Sequence, residues 1–209
     1  MLKSSQIMKK TLRGLSLILL LLILIFIISF FRASVEHPPE VKDLSSLEHK
    51  RTEAGDNKYY IGNNWLRKSE SGLYEVYIEG RPFERGVAFG KLTRELLYYQ
   101  EEAFVEQIRH LVPSESYLKF LRYFIGWFSR RIHKHIPEEY LLEIYGTSFS
   151  SSPEFDFIGT GYQRQLNYHA AQDIGHALQA LKMTGCTSFS FWDGKSEDST
   201  LITARNFDF

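Results

Sequence analysis

An almost unbroken apolar run from Leu15 to Phe31 constrains this chain more than any other feature. Arg32 ends the run, and several basic residues precede it: Lys3, Lys9, Lys10 and Arg13. About 17 residues is the lower limit for a membrane-crossing helix and is long for the core of a signal peptide. The run has no polar face, unlike a core helix, and no small-x-small cleavage site follows it closely. The sequence therefore predicts an uncleaved membrane anchor over residues 15–32, with a cleaved signal peptide as the alternative.

The charges beside this run predict its orientation. Segments rich in Lys and Arg stay in the cytoplasm, so we expect residues 1–14 there and the bulk of the chain on the non-cytoplasmic side. Residues 33–58 are polar and contain Pro38-Pro39, which is typical of a linker. We therefore expect a single-pass membrane protein whose folded part begins near Tyr59.

Composition excludes several functional classes. The 209 residues carry a formal net charge of +0 and are 44% hydrophobic, which is typical neither of a disordered chain nor of a basic nucleic-acid binder. The single cysteine excludes an intrachain disulfide and a cysteine-cluster zinc site. We expect no nucleic-acid partner, no metal and no cofactor.

A strand and a helix are expected at the start of the folded part. Alternation over Leu73–Glu79 predicts a strand, Gly80 and Pro82 end it, and a helix follows toward His110. Small residues in the first turns of this helix predict close packing, which we expect to be against a sheet. These residues are Gly86, Ala88 and Gly90.

Aromatic residues at spacings of three and four predict an amphipathic helix with a core stripe within residues 111–135. The stripe consists of Tyr117, Phe120, Tyr123, Phe124, Trp127 and Phe128. We interpret the basic patch Arg130–His135 as a solvated helix end, with contact to an anionic head group or membrane surface as the alternative. Another helix is expected from Pro137 to Tyr145, followed by a serine-rich loop over residues 146–157.

A further helix is expected from Gln163 to Met183, with His169, Asp173 and His176 on one face. We interpret this face as a polar helix surface or a cap on a neighbouring sheet. A metal site or a supporting catalytic network is the alternative. Thr184-Gly185 is expected to end the helix.

The only cysteine of the chain begins a predicted β-hairpin. Alternation from Thr187 to Trp192 predicts a strand, Asp193–Asp198 has the composition of a turn, and Ser199–Phe209 resumes a strand. Strand parity puts Cys186 on the small, polar face, where a thiol is accessible. The aromatic face is expected to be the core side.

Two charged residues of the second strand are candidates for assisting this thiol. Arg205 is expected to favour the thiolate. Asp208 is three residues further on, so a regular strand points it to the other face. Both residues reach Cys186 only if the strand bends or bulges near Asn206 and Phe207.

Gly185-Cys186-Thr187-Ser188, followed at hairpin distance by Ala204-Arg205-Asn206-Phe207-Asp208, resembles the nucleophile hairpin of cysteine-type N-terminal nucleophile (Ntn) hydrolases. The most similar group is the acyl-coenzyme A:6-aminopenicillanic acid acyltransferase-like peptidases. Choloylglycine hydrolase and acid ceramidase are more distant. Gly80, Pro82, Gly86 and Gly90 are similar to a second, weaker motif near the start of the domain in the acyltransferase-like group.

The resemblance implies an α+β fold of the αββα sandwich type and a self-processing enzyme. In such a family the precursor cuts the bond Gly185–Cys186, so that residues 59–185 are detached and residues from Cys186 carry the active site. Cys186 is then the nucleophile and its new α-amine, with a pKa of about 7.7–8.0, the base. Arg205 and Asp208 orient the reacting groups and Asn206 binds substrate. The implied substrate is a small-molecule amide or acyl donor with a carbon–nitrogen amide bond.

Two alternatives remain open at this point. One is a non-enzymatic, membrane-tethered α+β binding module in which Cys186 is a core residue. The other is a phospholipase-B-like Ntn hydrolase, which differs in substrate. One hairpin after Cys186 does not bury a two-sheet core. We therefore expect the chain to be the front part of a longer protein or a truncated product, with residues 186–209 as the start of the catalytic segment. As it stands, the chain is expected to be inactive.

Overall fold

The computed structural model describes residues 2–55, 57–177 and 185–208, which form an α+β structure with two antiparallel sheets. The helices are α1 (Leu2–Ala33), α2 (Pro82–Leu92), α3 (Arg94–Leu111), α4 (Glu115–Ser129), α5 (Glu138–Ser148) and α6 (Gly161–Ala177). The strands are β1 (Thr52–Glu53), β2 (Lys58–Ile61), β3 (Asn64–Lys68), β4 (Tyr74–Tyr77), β5 (Gly185–Asp193) and β6 (Ser199–Asp208). The chain forms two compact units, which we call the body (Met1–Leu166) and the C-terminal unit (Asn167–Phe209).

The apolar run lies in α1, as the sequence predicts. Leu12–Ala33 is long and apolar enough to cross a membrane, and its central window is not buried within the protein. A signal sequence meets the same criterion of length and composition. Coil after α1 leads to a short 3₁₀ helix at Ser45–Glu48, and two further 3₁₀ helices follow α4 and α5, at Ile132–Lys134 and Pro153–Ile158.

The first sheet of the body is a meander of β1, β2, β3 and β4 in that order. Its register pairs Tyr59 with Leu66 and Leu66 with Val76. Ile61 and Leu66 form a buried cluster with Leu92 at the end of α2. One face of the sheet is therefore covered by a helix, as alternating strands require.

The segment predicted as a linker contacts the helices of the body. Lys91 Nζ donates hydrogen bonds to the carbonyl oxygens of Leu47 and His49, at 2.5 and 2.7 Å. Arg51 forms a bidentate ion pair with Glu95 of α3, with N–O distances of 2.6 and 2.9 Å. The chain between α1 and β1 is thus fixed to α2 and α3.

Glycines bring α2 and α5 into backbone contact. A Cβ at Gly86 would overlap the carbonyl oxygen of Glu143, and a Cβ at Gly146 would overlap that of Phe83. Gly90 is similarly close to Thr147 and Ser150. The expectation that this glycine face packs on a sheet is therefore wrong, because the partner is another helix.

The single helix expected up to His110 is two helices. α2 ends at Leu92 and α3 begins at Arg94, and the Thr93 hydroxyl donates to the Phe89 carbonyl at 2.7 Å. No glycine or proline stands at this boundary. The hydroxyl competes with the backbone ladder at the boundary, as short polar side chains do near helix ends.

The aromatic stripe of α4 is not a core stripe, contrary to the sequence prediction. Its buried residues are Leu118, Gly126 and Ser129. Most of the predicted stripe is exposed, namely Tyr117, Phe120, Phe124, Trp127 and Phe128. The core near α5 and α6 is formed instead by Leu141, Ile144, Tyr162 and Leu166.

Candidate active site in the C-terminal hairpin

The second sheet is the hairpin of β5 and β6, and its limits agree closely with the alternation in the sequence. Asp193 and Ser199 flank the turn with positive φ values of 54° and 61°. The Ser196 hydroxyl donates to the Thr200 carbonyl at 2.8 Å. These local bonds close the turn and set the strands side by side.

The register brings the two sequence motifs together along the backbone. Gly185 lies opposite Asp208, Cys186 opposite Phe207, Thr187 opposite Asn206 and Ser188 opposite Arg205. Directly opposed residues share a face of the ribbon and neighbours along a strand alternate. Position 205 therefore shares a face with position 186, whereas positions 206 and 208 belong to the other face.

Arg205 and Asp208 can act together on Cys186 only if β6 has a bulge near Asn206 and Phe207. The pairing shows no bulge there. The irregularity in this register lies at the other end of the hairpin, between Phe191 and Asp193. The pairing from Gly185 to Phe191 is continuous. By position, Arg205 is the better placed of the two residues to act on the thiol.

Side chains near the turn end are exposed on both faces of the hairpin. Phe189 and Phe191 are 53% and 44% exposed and contact each other with ring centroids 5.2 Å apart. On the other face, Ser190 and Thr203 share a hydrogen bond of 2.9 Å between their hydroxyls. The expectation of a core-side aromatic face is therefore not met for these two rings.

Charged groups of the hairpin are placed near the turn and on β6. Hydrogen bonds from the hydroxyl and the backbone N–H of Thr200 hold the pKa of Asp198 below its usual value. Arg205 is exposed. The side chains of Cys186, Asn206 and Asp208 lie outside what the structure describes, so their predicted roles stay predictions.

The histidine-bearing helix, α6, contains the predicted polar positions. His169 is exposed, and the side chains of Asp173 and His176 lie outside the described part. Among the residues that the structure describes, no group of three or more His, Cys, Asp or Glu side chains is arranged to hold a metal ion.

Sequence reasoning missed a buried ionic network in the body. Arg164 and Glu101 form an ion pair of 2.8 Å, with both side chains only 1% exposed. Arg164 also donates to an Asp156 carboxylate oxygen at 2.6 Å and to the carbonyls of Gly159 and Ser152, each at 2.7 Å. Glu101 and Arg164 are far apart in the chain, and no local pattern connects them.

A second missed pair joins the chain just after α1 to the 3₁₀ helix after α4. The carboxylate of Glu36 is 5% exposed, and its Oε2 lies 3.1 Å from His133 Nδ1. Its other oxygen is buried without a hydrogen-bond partner. Burial, with a smaller contribution from Glu36, raises the pKa of Tyr162 to about 12.

Comparisons of the chain with family models, with curated proteins and with solved structures find no match. The resemblance to the Ntn hydrolases therefore remains a prediction from the motif residues of the sequence.

Proposed function

We propose that this chain belongs to a membrane-anchored, self-processing N-terminal-cysteine hydrolase or acyltransferase that acts on carbon–nitrogen amide bonds. The proposal includes the αββα arrangement that the resemblance implies. Cys186 is the nucleophile, Arg205 and Asp208 orient the reacting groups, and Asn206 contacts substrate.

One observation carries the proposal: the hairpin register places residues of the first motif directly opposite residues of the second motif. Cys186 is one step from the start of β5, and Arg205 is opposite Ser188, two positions further along. Directly opposed residues in such a ribbon are about 5 Å apart, and diagonal neighbours about 7–8 Å. A guanidinium on a long side chain reaches a thiol over that distance, and a nearby cation favours the thiolate.

Self-processing requires one acyl transfer from nitrogen to sulfur and one hydrolysis. The Cys186 sulfur attacks the Gly185 carbonyl carbon, the Gly185–Cys186 amide breaks, and the amide nitrogen takes a proton to become a free α-amine. Water then hydrolyses the resulting thioester, releasing the Gly185 carboxylate and restoring the thiol. Glycine before the cysteine imposes the least steric restriction on this rearrangement.

Substrate turnover uses the same sulfur with its new neighbour. The neutral α-amine accepts the thiol proton as sulfur attacks the acyl carbonyl, and then delivers it to the departing amine. The acyl-cysteine thioester passes its acyl group to water or to another amine. Because the α-amine titrates at about 7.7–8.0 in model compounds, activity is expected to rise with pH through that range.

The membrane topology belongs to the same proposal. The basic residues before the apolar run of α1 favour a cytoplasmic N-terminus, which puts the hairpin on the non-cytoplasmic side. The enzyme would then meet its small-molecule substrate outside the cytoplasm while remaining attached to the membrane.

The test is the intact mass of the protein expressed from its own gene. The unmodified protein is expected to yield two pieces separated between Gly185 and Cys186, and Cys186→Ala is expected to yield one uncut chain. Loss of processing and of amide hydrolysis in Cys186→Ala, by at least about 1,000-fold, follows from removing the attacking atom.

Ser188→Ala is the matched control, because it changes a neighbouring position on the same face without removing the sulfur. It is expected to be processed and to keep activity within about tenfold. A folded protein that turns over amide substrate with Gly185 still joined to Cys186 contradicts the proposal. A Cys186→Ala chain with normal function supports the binding module instead, and faster turnover of esters than amides supports the phospholipase-B-like alternative.

A further inference from the structure

The helix α4 presents an apolar face to its surroundings. Phe128 is 73% exposed, and Phe120, Phe124 and Ile125 are each 47% exposed. At 100° per residue these positions, with Tyr117, fall on one side of the helix, opposite the buried Gly126. An amphipathic helix of a water-soluble body has the reverse arrangement, so this face is suited to an apolar medium.

The exposed face of α4 is continuous with the membrane-length helix α1. The ring of Phe30 contacts Phe124 at 5.3 Å and Trp127 at 6.2 Å, and Phe31 contacts Tyr123 at 4.8 Å between centroids. These contacts involve the last turn of α1, where a spanning helix leaves the hydrocarbon. Aromatic side chains are enriched at that level of a bilayer.

Backbone packing fixes the same junction. A Cβ on Gly126 would overlap the Ser34 carbonyl, so α4 lies directly against the chain leaving α1. Gln163 Nε2 donates to that carbonyl at 3.0 Å in a buried position. The position of α4 beside the end of α1 is therefore fixed by packing within the fold.

A basic groove of about 510 Å³ lies beside this junction. Its lining includes four basic side chains, Arg32, Arg130, Arg131 and Lys134, together with His133 and the carboxylate of Glu36. Glu36 is turned to His133, and Arg130 is stacked 4.2 Å over the Trp127 ring and donates to the Trp127 carbonyl. Among the described residues, Arg32, Arg131 and Lys134 form no ion pair.

We propose that α4 is an interfacial helix whose exposed rings enter the bilayer spanned by α1, and that the basic groove binds the phosphate of an anionic phospholipid of that bilayer. Positive charge beside an apolar, membrane-level surface is the arrangement that recognises such head groups. The size of the groove is within the range of ligand sites, roughly 300–1,000 Å³. The site is independent of Cys186 and of the activity proposed for the hairpin.

Lipid binding is measured by native mass spectrometry of the full chain in detergent, titrated with phosphatidylglycerol. The variant Arg131→Gln/Lys134→Gln removes two exposed cations of the groove and is expected to weaken binding roughly thirtyfold. The matched control, Lys50→Gln/Lys58→Gln, removes two exposed cations elsewhere in the body and is expected to leave binding within about twofold.

The source of the phosphate is distinguished in the same titration. Phosphatidylcholine is expected to bind at least about tenfold more weakly, and millimolar inorganic phosphate is not expected to displace the anionic lipid. Equal binding of the two lipids, equal loss in both double variants, or full displacement by inorganic phosphate overturns the proposal.

The position of α4 is tested separately with spin labels in vesicles. In a Cys186→Ser background, Phe128→Cys places a label on the exposed apolar face and Lys119→Cys places one on the opposite side of the same helix. The label at 128 is expected to collide mainly with oxygen, which concentrates in the bilayer, and the label at 119 mainly with a water-soluble nickel chelate. Equal access of the nickel chelate to both labels contradicts an interfacial α4.

Discussion

The two antiparallel sheets of this protein are built from similar alternation but differ in what covers them. In the body, Ile61 and Leu66 are each 4% exposed because α2 lies over β2 and β3. In the hairpin, Phe189 and Ile202 are 53% and 50% exposed. Alternation therefore determines which residues share a face, whereas burial depends on a partner element that the strand itself does not encode.

The largest expected effect concerns the buried ion pair of the body. Arg164→Met keeps the volume but leaves the Glu101 carboxylate buried without its main partner, which is expected to cost about 3–5 kcal/mol of unfolding free energy. The measurement is chemical denaturation of the detergent-solubilised chain, followed by far-ultraviolet circular dichroism.

Arg67→Met is the matched control, because Arg67 pairs with Glu75 on the exposed surface of the first sheet. Exposed pairs contribute about 0–1 kcal/mol, so this variant is expected to remain close to the parent. Equal stability of Arg164→Met and Arg67→Met would show that the Arg164 network is not what holds the body together.

An effect of intermediate size on stability is expected when one glycine of each unit is replaced by alanine. Gly86→Ala puts a methyl group against the backbone of α5, and the resulting overpacking is expected to cost about 1–3 kcal/mol. Gly194→Ala, in the hairpin turn, adds a methyl group that has no other atom within 4 Å, and the residue does not have a left-handed φ. It is therefore expected to change stability by less than about 0.5 kcal/mol. Thermal unfolding of both variants is the measurement, and a reversed order contradicts the α2–α5 contact.

The smallest expected effect is on the pH dependence of the unfolding free energy of the body. Partial burial acts to raise the pKa of Glu95, but hydrogen bonds from Arg51 and Arg94 lower it to about 2, from an ordinary 4.5. A carboxyl with a lowered pKa stabilises the fold above pH 4.5, and that contribution is lost as the pH falls toward 2. Because the side chain is 57% exposed, the contribution is expected to be below about 1 kcal/mol.

Glu95→Gln tests this contribution through unfolding free energies at pH 7 and pH 2. The variant is expected to be less stable than the parent at pH 7 and close to it at pH 2, where most of the contribution of the parent carboxylate has been lost. Glu70→Gln, at an exposed position after β3, serves as the control and is expected to differ from the parent at neither pH. A constant difference for Glu95→Gln across the two pH values would contradict the linkage.

Local patterns predicted the local structure well. The apolar run gave the helix α1, and alternation gave the hairpin with limits within two residues of those observed. The turn at Asp193–Asp198 was evident from its residue types. Each of these features depends on neighbours in sequence, which is where periodicity is informative.

Features that depend on distant contacts were not predictable in this way. Glu101 is on α3 and Arg164 on α6, so neither position shows from its surroundings that it is buried. The glycine face of α2 predicted close packing but not its partner, α5. The aromatic spacing in α4 indicated an amphipathic helix but not which medium its apolar side meets.

The same limit applies to the candidate site. The motifs predicted that the strands of Cys186 and Arg205 would lie together, and the register agrees with that pairing. A bulge near Asn206 was required only by the assumption that Asp208 acts beside Arg205. The irregular position is instead set by the turn, because Asp193 takes a positive φ.

The hydrogen bond from Gln163 to the Ser34 carbonyl has a geometric consequence for the whole body. Since the last turn of α1 and the residue that follows it are packed against α4, the direction of α1 is fixed relative to that helix. A change in the tilt of α1 would therefore move α4 with it.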